Sequence, residues 1–369
     1  MATIGPRRMP LRELRQDDYA EVVAVLGRNG LRKPTRQQWE YIWSATPHRA
    51  QLADIPSGWL LLDDRDGAAG TFRNLPFLYE WNQRPVRVVV ASAWAVDPAQ
   101  RHRSLMLATE YFKQTHADVL LNTTAVAETS GKAFLAFRAE RVPQPNYTTR
   151  LLWITGYGGF AANIVHQRGL PSALRFPASA AAWLGDAPRR LRRSADRVQA
   201  VREFDARFDR FWTRLRERHD RLQAIRDAAT LTWRFALERE PPLIAVLERD
   251  GQLAGYAVSV RRDQGDLRRF ELVDLQALDD DPGVVREVMS GVLRLAREQG
   301  VHLVALTGHN EAKRDAMLTL GPRVKATPGW PLYYKAADTS LTVPLRSSGA
   351  WDISLYDGDA LWSAMFSTS

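Results

Sequence analysis

Two stretches of this chain, residues 58–98 and 242–278, are written in one layout: an apolar run, an Asp-Gly turn, a second apolar run, then a third. In the first, GWLLLDD (58–64) meets AGTFRNLPFLYEW (69–81) across Asp66-Gly67, and RPVRVVVASAWAVDP (84–98) follows. In the second, PLIAVLERDG (242–251) meets QLAGYAVSVRR (252–262) across Asp250-Gly251, and RRFELVDLQAL (268–278) follows. β-Branched runs joined at Asp-Gly signal hairpins. A hairpin plus a strand written twice without sequence identity implies a duplicated unit, and 369 residues is the length of two domains.

The elements downstream of each set repeat as well. After Pro98 come a helix (QRHRSLMLATEYFKQ), a buried strand (DVLLNTT), a helix (SGKAFLAFRAE) and a strand (TTRLLWIT); after Leu278 come a helix from Pro282 to Gln299 closed by Gly300, a strand (VHLVALTG) and a helix (NEAKRDAMLTLG) closed by Gly321. Two helices precede the first set, residues 17–29 and Thr35 to Ala45, with Trp39, Ile42 and Trp43 on one side of the second. Pro76 within 69–81 implies an edge or a bulge there. The expected class is α/β (α+β): two tandem domains, 1–156 and 196–340, each a mixed twisted sheet flanked by helices. A linker, 157–195, and a C-terminal tail, 341–369, complete the expected division.

The formal charge of +9 is unevenly spread. Residues 189–226 hold thirteen arginines and six acids, a surplus of seven that leaves +2 for everything else. Val198, Val201, Phe208, Phe211, Trp212, Leu215, Leu222 and Ile225 step through this segment by threes and fours, which predicts an arginine-rich amphipathic helix joining the domains.

Several chemistries are excluded or disfavoured. There is no cysteine, so disulfides, thiolate nucleophiles, iron–sulfur clusters and cysteine-ligated zinc are ruled out. The seven histidines show no metal spacing, and neither Gly-x-Ser-x-Gly nor a phosphate-loop lysine occurs, so no metal is expected. No apolar run reaches the length of a membrane span, and the opening residues lack a signal-peptide core, so a cytoplasmic protein is expected. The aromatic and acidic tail SGAWDISLYDGDALW (348–362) fits either a loop over a cleft or a packed terminal strand.

The succession of two helices, a meander, then strand, helix, strand, helix and strand resembles the GNAT superfamily of acyl-CoA N-acyltransferases. Its most specific stretch is Val96-Asp97-Pro98-Ala99-Gln100-Arg101-His102-Arg103-Ser104-Leu105-Met106. In that family a Val-x-Pro strand end leads into an Arg/Gln-x-x-Gly-x-Gly/Ala loop, whose amides hold the CoA pyrophosphate at a helix start. The resemblance implies that Val96, Arg101, His102, Arg103, Ser104 and Leu105 bind acetyl-CoA or another acyl-CoA. Ser104 and Met106 replace the two small residues, and the corresponding loop of the second half carries Asp279, Asp280 and Asp281, which would repel a pyrophosphate. The tyrosine that protonates the leaving thiolate is missing from both halves, where Phe134 and Met317 stand, so Tyr147 and Tyr334 become the replacement candidates.

A second set, Phe204-Asp205, Phe208-Asp209, Trp212, Ile225-Arg226-Asp227, Trp233-Arg234-Phe235, Gly255-Tyr256 and Val273-Asp274-Leu275, resembles double-domain GNAT-like bacterial proteins. Their layout is similar to the Fem-type peptidoglycan aminoacyltransferases, which draw on charged tRNA. Asp274 is the expected base; Asp227, Trp233 and Arg234 are expected to orient an acceptor, Asp227 and Arg234 sharing one helix face. The implied reaction moves an acyl group to the amine of a small molecule or amino sugar. The alternatives are tRNA-dependent aminoacyl transfer, with tRNA on the arginine-rich segment, or non-catalytic binding.

Overall fold

Both hairpins turn where their acids allow it. Asp66 and Asp250 take left-handed φ values of 62° and 51°, and the Asp63 carboxylate accepts from the amides of Arg65 and Gly67 at 2.8 Å. The computed structural model describes residues 10–123, 128–185, 197–326, 331–359 and 361–362. Its strands are β1 (Leu11–Glu13), β2 (Gly58–Leu62), β3 (Ala68–Trp81), β4 (Arg84–Val96), β5 (Val119–Asn122), β6 (Glu140–Arg141), β7 (Thr149–Ile154), β8 (Gln199–Val201), β9 (Gln223–Ala224), β10 (Leu243–Arg249), β11 (Gln252–Arg261), β12 (Arg269–Ala277), β13 (Leu303–Leu306), β14 (Arg323–Ala326) and β15 (Tyr333–Ala336).

One sheet runs β1-β2-β3-β4-β5-β15-β6, with β9 on the free edge of β3; the other runs β8-β10-β11-β12-β13-β7-β14. The two orders correspond strand for strand. Each contains one parallel pair at its centre, β4 with β5 and β12 with β13. Each also takes its sixth strand from the opposite half of the chain: β15 sits between β5 and β6, and β7 between β13 and β14. This crosses the expected boundary at residue 156, which kept TTRLLWIT with the first unit. An apolar strand fits the interior of either sheet, so its local pattern carries no information about which one it joins. Pro76 lies opposite Val89 of β4, beyond the reach of β2, so β3 needs no donor there.

The arginine-rich segment is not one helix. Its helix covers Ala206–Arg216 and buries Phe208, Phe211, Trp212 and Leu215, starting where the Asp205 side chain accepts from the Arg207 amide. The flanks pair with both sheets instead: β8 adds to β10, and β9 adds to β3. Val198, Val201, Leu222 and Ile225 therefore belong to extended chain, and their apparent helical spacing is coincidental. Arg189, Arg190, Arg192 and Arg193 lie outside the described residues.

The largest core lies between the sheets, and the C-terminal segment forms its centre. Leu345, Trp351, Ile353, Tyr356, Leu361 and Trp362 are buried there among Phe77, Leu78, Tyr79, Phe211, Trp233 and Tyr256. Of the two fates open to the tail, packing is the one observed, as an irregular wedge and not as a strand. It passes close to both sheets at glycines: Gly308 (φ 83°) beside Ile353, and Gly358 (φ 84°) beside Thr123.

An alanine Cβ at Gly308 would stand 2.7 Å from the Ile353 carbonyl oxygen, in a left-handed conformation that alone costs about 1–2 kcal/mol. Gly308→Ala is therefore expected to lower the urea midpoint at unchanged m-value. An unshifted midpoint would contradict the path of the tail.

Candidate active site

Each sheet opens at the end of its parallel pair. β4 pairs with β5 only from Val88 to Val90, so Ala91 to Val96 diverge; β12 pairs with β13 only from Arg269 to Leu272, so Val273 to Ala277 diverge. Both diverging strands are bulged against their hairpin partners. In β4 the bulge holds Ala93 at φ 51°, a conformation uncommon for a residue with a Cβ. Ser92 and Asp274 occupy equivalent places, two residues beyond the last parallel pair.

The tail fills the two gaps differently. In the second gap the Tyr356 amide donates to the Val273 carbonyl and the His309 amide to the Ile353 carbonyl. Asp274 is wholly buried there, receiving Arg226 Nε at 3.0 Å, Tyr256 Oη at 2.9 Å and Gln276 Nε2 at 2.9 Å. Burial alone would raise its pKa; the charge of Arg226 and these hydrogen bonds outweigh that and hold it below the ordinary carboxylate range. Asp274, the expected base, is thus a wholly buried ion-pair partner of Arg226. In the first gap the tail contributes one carboxylate: Asp359 accepts from Ser92 Oγ at 3.0 Å and from Thr123 Oγ1 at 3.1 Å, bridging β4 to the end of β5. Asp359 and Ser92 carried no motif, because their meeting depends on a contact spanning most of the chain.

The loops after the two diverging strands also differ. In the first half Val96 ends β4, Pro98–Arg103 forms a 3-10 turn, and a helix runs over Ser104–Lys113. Asp97 is tied back to Arg28 and Asn29, while Arg101, His102 and Leu105 are exposed and Arg103 pairs with Asp64 at 3.2 Å. In the second half Asp279 and Asp280 both take left-handed φ, and Asp281 caps the helix Pro282–Glu298 at the Val284 amide. Asp280 is buried against Arg221 at 2.6 Å and receives Asn310 Nδ2 at 3.0 Å. Lys313, buried nearby, donates to Leu275 O and Gln276 Oε1 at 2.9 Å and pairs with Asp352.

The tyrosine candidates separate. Tyr334 faces the central core and donates to Glu140 Oε2 at 3.3 Å, its pKa pushed up to about 12 chiefly by burial. Tyr147 has a buried hydroxyl with no partner among the described residues, raised well above the ordinary range by burial and by the charges of Asp357 and Asp352. The adjacent Tyr333 was missed: it lies opposite Asn122, at the mouth of the first gap, and stacks on Phe134 at 5.7 Å. The exchanged strand thus sets the Tyr333 hydroxyl against Gly131 of the helix Glu128–Ala136.

Asp227 is a helix cap, accepting from the Thr230 amide at 2.7 Å, so it precedes the helix Ala228–Phe235 and shares no face with Arg234. Trp233 and Arg234 do meet, in a pocket between the two halves lined also by His48, Tyr79, Thr230 and Tyr356. His48 Nε2 lies 2.9 Å from Thr230 Oγ1, and burial lowers its pKa against the opposing pull of Asp227. Arg207, Arg216, Arg218 and Arg221 of the arginine-rich segment pair with Glu248, Glu80, Asp279 and Asp280, which cancels much of its field.

This fold is GNAT-like, and solved structures of that type match it. A probable N-acyltransferase of Enterococcus faecalis is 14% identical, with a TM-score of 0.57 over 88% of this chain and 72% of that one. A GCN5-related N-acetyltransferase of Anabaena variabilis is 10% identical, with a TM-score of 0.52 over 89% of this chain and 72% of that one. The N-myristoyltransferase of Saccharomyces cerevisiae, solved with bound myristoyl-CoA, is 11% identical, with a TM-score of 0.52 over 91% of this chain and 81% of that one. At these identities the likeness is one of fold. No family model and no curated protein sequence matches the chain. Among the described residues no helix is long and apolar enough to cross a membrane, and no group of acids and histidines could hold a metal ion.

The charge network gives a pH dependence. Asp274 and Asp352 are both held below the ordinary carboxylate range, each against the upward push of burial, by Arg226 and by Lys313 respectively. Their stabilisation is complete above the unfolded-state pKa of about 4 and is lost as pH falls through the folded values; Asp357, raised by burial, works in the opposite sense. Asp352→Asn is expected to cost about 3 kcal/mol at neutral pH by leaving buried Lys313 with only the longer Asp280 contact at 3.6 Å, and to flatten the acid limb of a stability–pH curve. A variant with the parent's slope would contradict this assignment.

Proposed function

We propose that this protein is an N-acyltransferase that moves an acyl group from acyl-CoA to the amine of a small molecule or amino sugar, working in the first of its two gaps. The observation that carries the reading is the opening between β4 and β5. There the strand diverges at a left-handed Ala93 and leads through Val96 into the basic turn Arg101-His102-Arg103 at the start of a helix. Amides released from a ladder can hold a developing oxyanion, and a helix start with arginines favours a pyrophosphate. The second gap offers neither, since its strand end is sealed by Arg226 with Asp274 and its loop holds three aspartates.

Acyl transfer needs a neutral amine, a proton acceptor for it and a proton for the leaving thiolate. In the first gap Asp359 takes the amine proton, and Tyr333 gives its hydroxyl proton to the sulfur. Val96, Ser104 and Leu105 shape the strand end and helix start around the CoA phosphates, with Arg101, His102 and Arg103 supplying charge. The carbonyl carbon gains the amine nitrogen and loses the thiolate, so no redox partner or metal is required.

Calorimetry with acetyl-CoA and longer acyl-CoAs is the direct test. Binding is expected to weaken by about tenfold or more in Arg101→Glu, and to weaken with added salt. Tyr333→Phe should slow acceptor-dependent thiol release by about a hundredfold while leaving acyl-CoA affinity unchanged. No heat with any acyl-CoA at about 1 mM would overturn the reading.

A further inference from the structure

The segment expected as a linker folds, over residues 157–185, into a helical hairpin whose apolar side faces solvent. Its first helix, Tyr157–Gln167, is anchored on the second sheet: Tyr157 and Phe160 pack with Ile154, Leu267 and Leu303, and Ala161 and Val165 are buried. A short turn, Ser172–Leu174, leads into the second helix, Arg175–Gly185, which packs back on the first. In that second helix Phe176, Ala180, Trp183 and Leu184 fall at i, i+4, i+7 and i+8, one stripe about 12 Å long. A stripe of this kind normally meets a core. Here the half-buried residues are small, Ala178 and Ser179, while Phe176, Trp183 and Leu184 are 67%, 49% and 63% exposed. The connection between the helices adds two more exposed leucines, Leu170 and Leu174. Exposed apolar side chains grouped in this way mark an interaction surface.

The charge around the stripe indicates what covers it. From Arg141 to Gly185 the chain contains no acid, and Arg168 and Arg175 are exposed, the Arg175 guanidinium lying 4.7 Å over the Phe176 ring. Residues 157–196 together hold six arginines and two acids, a surplus that calls for an anionic partner. A second copy of the chain would bring these arginines against their own kind, since a twofold contact pairs a patch with itself. An anionic bilayer matches both features: its acyl boundary takes phenylalanine, tryptophan and leucine, and its phosphates take arginine. We propose that this hairpin docks the protein on the surface of an anionic membrane, the helix Arg175–Gly185 lying in the headgroup layer with Phe176, Trp183 and Leu184 toward the acyl chains. At 11 residues the helix can lie on a bilayer and is too short to cross one. The inference goes beyond the acyl-transfer reading and does not depend on it.

The test is flotation of the full chain with large unilamellar vesicles, made of phosphatidylcholine alone or with about 30% phosphatidylglycerol, at low and high salt. The chain is expected to float with the anionic vesicles, about tenfold or more weakly with phosphatidylcholine alone, and less as salt is added. Phe176→Asp with Leu184→Asp should weaken binding by about a hundredfold, and Arg168→Gln with Arg175→Gln by about twentyfold. All four side chains are exposed, so the thermal midpoint of each variant should match the parent's. The proposal is overturned if the chain does not float with anionic vesicles, if either pair of substitutions leaves binding unchanged, or if neutral vesicles bind as well. Sedimentation equilibrium without lipid reads the competing occupant. A monomer is expected; a dimer that Phe176→Asp with Leu184→Asp dissociates would assign the face to a second copy and overturn the membrane reading.

Discussion

Arg226 donates to Asp274 on the second sheet and also to Asp357 in the C-terminal segment, and all three side chains are buried. Removing Arg226 would strand two carboxylates in a medium that solvates them poorly, so the sheet, the loop after β9 and the tail must be assembled together. Lys313 repeats the device a turn of chain away, tying Asp352 of the tail to the end of β12 through Leu275 and Gln276. Arg234 completes it by holding the carbonyls of Tyr356 and Gly358. These three cations hold the segment Trp351 to Asp359 between the sheets, and the shape of both gaps is set by where that segment runs.

The duplication seen in the strand order has become asymmetric in its chemistry. Each half has a parallel pair, a bulged strand and a gap, and each lends a strand to the other, so neither sheet is complete without both halves. In the second half the gap is closed by the tail and Asp280 of the loop is turned inward to Arg221 and Asn310. In the first half the tail enters with a single carboxylate, and the basic turn after β4 stays at the surface. On the proposed reading, one copy serves as scaffold and the other keeps the features that acyl transfer calls for.

Much of the fold was legible because its signals are local: Asp-Gly turns, alternating runs and the caps at Thr35 and Asp281 are read within a few residues. The exchange of β7 and β15 was not legible, since a short apolar strand has the same pattern in either sheet. The arginine-rich segment misled for a related reason: extended chain buried on one side placed Val198, Val201, Leu222 and Ile225 at spacings that a helix would also give. At the site, Trp233 and Arg234 were visible as a cluster, but Asp359, Ser92 and Tyr333 are ordinary residues whose meaning comes from contacts across the whole chain. Asp274 was conspicuous at a strand end, and what it does there is hold Arg226.

The central claim, that the first gap works while the second serves as scaffold, is tested most directly by hydrogen exchange with a non-hydrolysable acyl-CoA analogue. Slowed exchange is expected in Ala91–Val96 and the turn Pro98–Arg103, with Val273–Ala277 and Asp279–Gly283 unaffected. Protection in the second set, or in neither, would contradict the account.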